Sequence, residues 1–223
     1  MASIVLGLAT TRSPLVSMPA ALWPAVGERD RTSLDLHDRD GNAVSYQALL
    51  RQAPSRILQE LTPAALESKH GRAQAALSLL TQKLAEADPD ILVVIANDRD
   101  GLNIRADNRP AILVYRGETV RIVPRQPGPN ADAVTLAPLW GWGQHEATYP
   151  VATALALHLE EHLVSSGFDV ADSVSMGPMA HPFGFVYTRL MTAKVIPIVP
   201  VVLNAQIPPN IPTPGRCHDL GRA

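Results

Sequence analysis

The chain has 223 residues, of which 46% are apolar and 18% are charged, so a sizeable core can form and general disorder is not expected. Its formal net charge of -2 gives no electrostatic footprint for nucleic acid or an anionic membrane, and no apolar run approaches the roughly 18 residues that span a bilayer. The single cysteine, Cys217, excludes an internal disulfide and a cysteine-based metal cluster, so we expect a soluble cytoplasmic protein.

The first half of the chain has the pattern of a strand, a helix and a second strand. Residues 3–9 are β-branched and leucine-rich, which is typical of a strand buried on both faces. Pro63 in "LTPAALESKH" indicates a helix start, and apolar spacings of four and three predict an amphipathic helix over residues 71–88. The run "ILVVIA" at residues 91–96 predicts a second buried strand. This order implies a right-handed crossover and a parallel sheet.

The second half of the chain predicts further strands, a long loop and two helical segments. The stretch "AILVYRGETVRIV" predicts two short strands that form a hairpin around its Arg-Gly pair. Residues 124–150 are rich in proline and glycine and predict a long loop, whereas residues 151–166 have helical spacing. An apolar strand is predicted over residues 196–204, and Pro200 indicates an edge or irregular strand. A proline-rich turn and a helix start follow, which completes a single α/β domain over residues 1–223.

The predicted helix of the second half carries "HLEEH", which invites a comparison with metal sites. Its His158 and His162 match the H-x-x-E-H spacing of one metalloprotease class, and residues four apart on a helix could bind one zinc ion. Both lie at the margin of the apolar stripe, however, and no third ligand is evident. We interpret them as half-buried structural histidines. Cys217 has no suitably placed partner histidine and is interpreted as an inert thiol.

A third histidine lies between rigid residues. His181, in "GPMAHPFGFVYTRLM", is predicted to occupy a turn formed by Gly177, Pro178 and Pro182. Because the reference pKa of histidine is near neutrality, a rigidly held loop histidine suits proton transfer. The alternative is a histidine that only hydrogen-bonds the backbone of the turn, and the local sequence alone favours this alternative.

Two loops carry an arginine directly after an apolar run. Arg12 lies in "LATTRSPL" and Arg99 in "VVIANDRDG", and strand ends are where α/β proteins usually place their chemistry. One interpretation is a surface arginine, solvated or paired with a carboxylate such as Asp98 or Asp100. The other is a pair of guanidinium groups that bind an anion, because the planar guanidinium matches a carboxylate or phosphate. The sequence contains no phosphate-binding glycine loop and no G-x-S-x-G motif.

Four stretches together resemble a known enzyme family. They are "IVLGLATTRSPLVSMPAALW", "VVIANDRDGLNIRADNRPAILVYRGETV", "GFDVADSVSMGPMAHPFGFVYTRLM" and "PIVPVVLNAQIPPNIPTPGRCHDLG". They resemble the class III extradiol ring-cleavage dioxygenases of the protocatechuate 4,5-dioxygenase catalytic-subunit type, over nearly the whole chain. The resemblance implies an α/β fold with a mostly parallel central sheet flanked by helices, here without the family's last strand and helix. It also implies O2-dependent opening of a catechol-type ring at an Fe(II) site.

The resemblance also implies roles for single residues. His181 matches the family's acid/base histidine. Arg12 and Arg99 stand at the positions of its two histidine ligands to iron, and its carboxylate ligand would lie after Ala223. Arginine has no available lone pair and stays protonated in proteins, so we expect that this chain does not bind Fe(II).

Two main functions of different classes follow. One is a dioxygenase family member whose ring-cleaving activity is impaired. The other is a non-catalytic partner subunit, or a protein that binds a small anionic aromatic ligand through Arg12, Arg99 and Asp98. A decayed gene product with no function is a third alternative. Because the absent last elements would leave a sheet edge uncovered, we also expect a homo- or hetero-oligomer.

Overall fold

The structure is a computed structural model that describes residues 2–11, 13–97, 110–124, 145–175, 177–179, 181–205 and 208–223. The chain divides into two compact units. The first, called the sheet unit, comprises Met1–Leu8, Leu80–Arg125 and Gly141–Ala223. The second, called the helical unit, comprises Ala9–Leu79 and Gln126–Trp140. Among the described residues, no helix has the length and apolar character needed to cross a membrane.

The helical unit is built from short helices. Two 3-10 turns are followed by three α-helices and the start of a fourth: Pro14–Val16, Ala20–Leu22, α1 (Trp23–Thr32), α2 (Tyr46–Gln52), α3 (Ser55–Gln59) and α4 (Pro63–Ala87). The indole of Trp23 packs edge-on against His70, with ring centroids 5.9 Å apart, and donates to the carbonyl of Met18. Met18 and Leu66 are buried in this unit. The tryptophan therefore joins the start of the unit to α4.

Helix α4 confirms two predictions and merges them. It begins at the predicted Pro63 and continues to Ala87, so the predicted helix over residues 71–88 forms its second part. Asp88, which follows, has a φ of 42°. This left-handed conformation cannot continue a right-handed helix and ends α4.

In the described residues of the sheet unit lie six strands, three further α-helices and one π-helix. They are β1 (Leu92–Asn97), β2 (Ile112–Tyr115), β3 (Thr119–Ile122), β4 (Ala147–Pro150), α5 (Thr153–Ser165), β5 (Ala171–Ser173), α6 (His181–Phe185), the π-helix Val186–Leu190, β6 (Ile198–Leu203) and α7 (Pro214–Arg222). Four strands form a mixed sheet in the order β1-β6-β2-β5, and β3 pairs with β4 in a separate antiparallel sheet. In the mixed sheet, β1–β6 and β2–β5 are parallel and β6–β2 is antiparallel. The fold is therefore α/β with a mixed sheet.

The core of this unit lies between the mixed sheet and α5. Ala156 and Leu163, seven residues apart on α5, are both buried against the centre of the sheet. They contact a cluster drawn from β2, β6 and the turn after α5: Ile112, Val114, Phe168, Val199 and Val201. The helical spacing predicted over residues 151–166 is thus confirmed, and α5 covers one face of the sheet.

The predicted first strand is wrong. Residues 3–9 form no strand, and the side chains of Ile4 and Val5 are 95% and 61% exposed. A strand needs a partner backbone, and none of the described residues pairs with this segment, so its β-branched composition alone does not make it one. The parallel partner of β1 is instead β6.

The predicted hairpin is also wrong, although both of its strands exist. β2 belongs to the mixed sheet and β3 to the two-stranded sheet. Because β5 and β6 already occupy the two edges of β2, β3 has no free edge of β2 with which to pair. It pairs with β4 instead.

The prediction that Pro200 marks an edge or irregular strand is wrong as well. β6 lies inside the sheet, between β1 and β2. The register with β2 ends at the pair Val114–Val201, and Pro200 is paired with Val94 of β1. Because the β2 ladder stops before Pro200, the missing N–H does not interrupt that ladder.

Candidate functional site

His181 is the only predicted site residue whose surroundings the structure describes. It is 4% exposed and is the first residue of the short helix α6, whereas a turn was predicted here. The segment before it is fixed to β3, because the N–H of Met179 donates to the carbonyl of Arg121 at 2.8 Å. Phe183 and Phe185 of the same helix are also buried. The segment before the histidine is therefore anchored by a hydrogen bond, and the helix after it is buried.

Helix α6 lies against β1. β1 ends at Asn97, which directly precedes Asp98 and Arg99 in the sequence. The structure thus brings the helix that starts at His181 next to the strand that leads to two of the predicted ligand-binding residues. Asp98, Arg99 and Arg12 themselves lie outside the described residues, so their convergence on His181 stays a prediction.

A pair of tyrosines follows α6. Tyr187, in the π-helix, stacks on Tyr149 of β4 with ring centroids 3.7 Å apart and planes 8° from parallel. Tyr187 is 5% exposed, and its hydroxyl has no hydrogen-bond partner among the residues that the structure describes. Burial, with a smaller effect from the neighbouring Tyr149, raises the pKa of Tyr187, so its hydroxyl stays protonated. An aromatic within an apolar run gives no sequence signal for this arrangement.

A small cavity lies beside the segment that leads into His181. Its volume is about 190 Å³, and it is lined by Tyr115, Thr119, Val120, Arg121, Val174, Ser175, Gly177 and Met179. The Tyr115 hydroxyl donates to the carbonyl of Thr119 at 2.8 Å, which fixes the buried ring. Gly117 allows this close packing, because a Cβ there would lie 2.1 Å from the tyrosine hydroxyl oxygen. Main-chain and side-chain oxygens can accept hydrogen bonds from a small polar group in this space.

Three charged residues form an ion cluster beside β5. Arg116 donates from Nε and Nη2 to the two carboxylate oxygens of Asp172, both at 2.7 Å. Oε2 of Glu160 lies 3.5 Å from the same Nε, is buried and has no hydrogen-bond partner within the described part of the chain. Burial, followed by the charge of Asp172, raises the pKa of Glu160, while Arg116 opposes that rise. No sequence signal connects residues 56 positions apart, so this cluster was not predicted.

The "HLEEH" histidines are not half-buried as predicted. α5 buries the face that carries Ala156 and Leu163, so His158 and His162 are exposed to solvent. His162 Nε2 lies 3.0 Å from the main-chain oxygen of Ala223. Across the described part of the chain, no group of three or more His, Cys, Asp or Glu side chains could hold a metal ion.

The residues at the positions of the family's iron ligands do not fit Fe(II). Arg12 and Arg99 carry guanidinium groups, which are donors only and stay protonated. These two residues could therefore not serve as ligands to iron.

Comparison with known proteins adds no relative. A scan against protein-family models finds no match to the chain, and a search of curated proteins finds none either. The resemblance to extradiol dioxygenases therefore depends on the four quoted stretches.

Proposed function

We propose that this chain is a divergent member of the class III extradiol dioxygenase family that binds a small anionic aromatic ligand and does not itself open the ring. The observation that carries the proposal is the place of His181. It matches the family's acid/base histidine, is buried at the start of α6, and begins a helix that lies against β1. β1 leads directly to Asp98 and Arg99.

Arg12 and Arg99 would select a ligand that carries a negative charge. A guanidinium group can donate two parallel hydrogen bonds to a carboxylate, which gives both energy and direction. Each hydrogen bond to a charged group contributes about 1.5–3 kcal/mol in a partly desolvated site. Lost ligand freedom offsets much of this gain, so a dissociation constant between about 1 µM and about 1 mM is expected.

His181 supplies the second part of the recognition. Its imidazole can donate a hydrogen bond to a ring hydroxyl or accept one from it, depending on tautomer. A benzoate-type acid that also carries ring hydroxyls, such as protocatechuate, would then use both groups. Asp98 can accept a hydrogen bond from a second hydroxyl.

The second candidate is residual ring cleavage, alone or with a partner subunit. A buried histidine at the family's acid/base position favours it, because proton transfer is the role that the resemblance gives to His181. The arginines at the ligand positions argue against an iron centre built by this chain alone. Oxygen uptake with protocatechuate or gallate would support this candidate.

The proposal is tested by titrating benzoate, protocatechuate and uncharged catechol while following tryptophan fluorescence. We expect both acids to bind and catechol to bind at least about tenfold more weakly, because it lacks the carboxylate. The double variant Arg12→Ala/Arg99→Ala should lose this preference. Arg29→Ala is the matched control, since Arg29 is an exposed arginine paired with Asp30.

A further variant separates the two parts of the site. His181→Gln should weaken protocatechuate binding and leave benzoate binding unchanged, because benzoate has no ring hydroxyl. Urea unfolding of the variant checks that the buried substitution is tolerated. An equal response to catechol and protocatechuate, or unchanged binding in the double arginine variant, would contradict the proposal.

A further inference from the structure

The segment that follows Arg12 in the sequence is held by an indole. Nε1 of Trp23, the first residue of α1, donates to the carbonyl oxygens of Leu15 and Met18, at 3.1 and 3.2 Å. Met18 is fully buried, and its N–H donates to the carbonyl of Leu15. One side chain thus binds two main-chain carbonyls of the segment, in addition to the hydrogen bond that the segment makes within itself.

A glutamine from another helix holds the same segment. Nε2 of Gln74, in α4, donates to the carbonyl oxygen of Val16 at 2.7 Å. Because a carbonyl oxygen only accepts, the amide nitrogen of Gln74 must face Val16. The same nitrogen lies 3.2 Å from Nε2 of His70, one turn earlier on α4, so this ring nitrogen accepts its second hydrogen. The edge-on contact of His70 with Trp23 connects the two side chains that hold the segment.

The residues on either side of Arg12 are also joined by hydrogen bonds. Oγ1 of Thr11 accepts from the N–H of Ser13 at 3.1 Å, and the carbonyl of Ser13 accepts from the N–H of Val16 at 3.1 Å. An arginine side chain loses rotamer freedom when it binds a ligand. A backbone that is already fixed on both sides of the arginine reduces the further freedom that binding removes.

We propose that Gln74 and Trp23 are positioning residues for Arg12, which hold residues 13–18 so that its guanidinium group can meet the carboxylate of an anionic aromatic ligand. This role rests on the ligand binding proposed above. Both residues act through main-chain carbonyls and need not touch the ligand. Both are uncharged, so replacing them by uncharged residues changes the placement of Arg12 and not the charge of the site.

Gln74→Met tests this role, because methionine has about the length of glutamine but cannot donate a hydrogen bond. We expect benzoate and protocatechuate to bind about three- to tenfold more weakly, which is the usual effect of losing one neutral hydrogen bond. Catechol has no carboxylate and should bind as it does to the unmodified protein. Calorimetric titration measures all three affinities. Gln82→Met is the matched control, because Gln82 is exposed on the same helix and donates only along it, to Glu86.

Hydrogen exchange shows whether the segment is loosened, whatever the protein binds. Trp23→Phe keeps an aromatic ring but removes the indole N–H, and it should also weaken the binding of both acids. In this variant and in Gln74→Met, residues 13–18 should exchange about three- to tenfold faster than in the unmodified protein. Urea unfolding checks that both variants remain folded. Unchanged exchange in either variant would overturn the positioning role of the residue replaced.

A double-variant cycle separates positioning from general support of the fold. If Gln74 acts through Arg12, Gln74→Met should no longer change the affinity for protocatechuate once Arg12→Ala is present. An equal loss of affinity in both backgrounds, or no loss in either, would overturn the positioning role and leave the proposed function intact. If Arg12→Ala alone leaves the binding of both acids unchanged, the proposed function fails, and the positioning role fails with it.

Discussion

The two edges of the mixed sheet are built in opposite ways. β5 has only three residues, and its central residue, Asp172, is held by two hydrogen bonds from Arg116. β1 has six residues and no charged side chain. Short length and charge are the usual protections of an edge strand. β5 has both of them, and β1 has neither.

The charged groups near the two edges differ in the same way. Beside β5, Arg116 is matched by Asp172 and approached by Glu160, so its charge is used within the fold. β1 leads instead to Asp98 and Arg99, which we propose to bind a ligand. Because two carboxylates lie against its guanidinium group, Arg116 is a structural residue.

The largest effect is expected at Gly117, next to the ion cluster. Gly117→Ala should lower the free energy of unfolding by about 1–3 kcal/mol, the usual cost of overpacking. The new Cβ would lie 2.1 Å from the hydroxyl oxygen of the buried Tyr115 and 2.9 Å from the main-chain oxygen of Val174. Urea unfolding measures the change.

Gly71→Ala is the matched control for that substitution. Gly71 lies within α4, and a Cβ there would meet nothing within 4 Å. Alanine should therefore stabilise the helix, by about 0.5–1 kcal/mol. If Gly117→Ala were as stable as Gly71→Ala, the tight packing beside β5 would be refuted.

The next effect concerns Glu160 and depends on pH. Because burial raises the pKa of Glu160 in the folded state above its ordinary value of 4.5, the folded state binds this proton more tightly than the unfolded state. This contribution to stability is therefore present at low pH and is lost as pH rises through the raised pKa. In Glu160→Gln the free energy of unfolding should therefore fall less as pH rises. At about pH 8 it should exceed that of the wild type by up to about 1 kcal/mol.

Urea unfolding of wild type and Glu160→Gln from about pH 4 to about pH 8 makes this measurement. Glu67→Gln, at an exposed residue of α4, is the control and should follow the wild type. A Glu160→Gln variant that is clearly less stable at high pH would show that the attraction of Arg116 outweighs the burial of the carboxylate.

A smaller effect is expected at Tyr187, in the π-helix that continues α6. No described residue makes a hydrogen bond to its buried hydroxyl, so Tyr187→Phe should remove a desolvation cost and raise the free energy of unfolding by about 0.5–1 kcal/mol. Tyr115→Phe should have the opposite sign, because it removes the bond to Thr119. Destabilisation by both substitutions would show that the Tyr187 hydroxyl makes a favourable interaction.

The smallest effect on stability is expected at the β1 edge. Ile95→Lys should change the free energy of unfolding by no more than about 0.5 kcal/mol, because the side chain is half exposed. A loss of more than about 1 kcal/mol would mean that Ile95 is packed within the chain. The comparison of the two edges would then fail.

Local patterns predicted much of this fold. Helical spacing located α4 and α5, and apolar runs located β1 and β6, because these signals depend on neighbours within a few residues. Pairing is decided by distant segments. Residues 3–9 have strand-like composition but no partner, and β2 and β3 are adjacent in sequence but lie in different sheets.

In the candidate site, too, contacts between distant segments could not be predicted from local patterns. His181 was selected from its rigid neighbours, but its burial at the start of α6 depends on packing that no local pattern contains. The cluster of Arg116, Asp172 and Glu160 joins three separate elements and gave no signal at all. A property that depends only on residue type, such as the inability of arginine to bind iron, follows from the sequence alone.

The central claim is that this chain binds an anionic aromatic ligand without iron. Calorimetric titration of protocatechuate into the protein, once with a metal chelator and once after anaerobic loading with Fe(II), tests it most directly. We expect the same dissociation constant for protocatechuate in both titrations, and far less than one iron retained per chain. Binding that appears only after Fe(II) loading, with one iron held per chain, would contradict it.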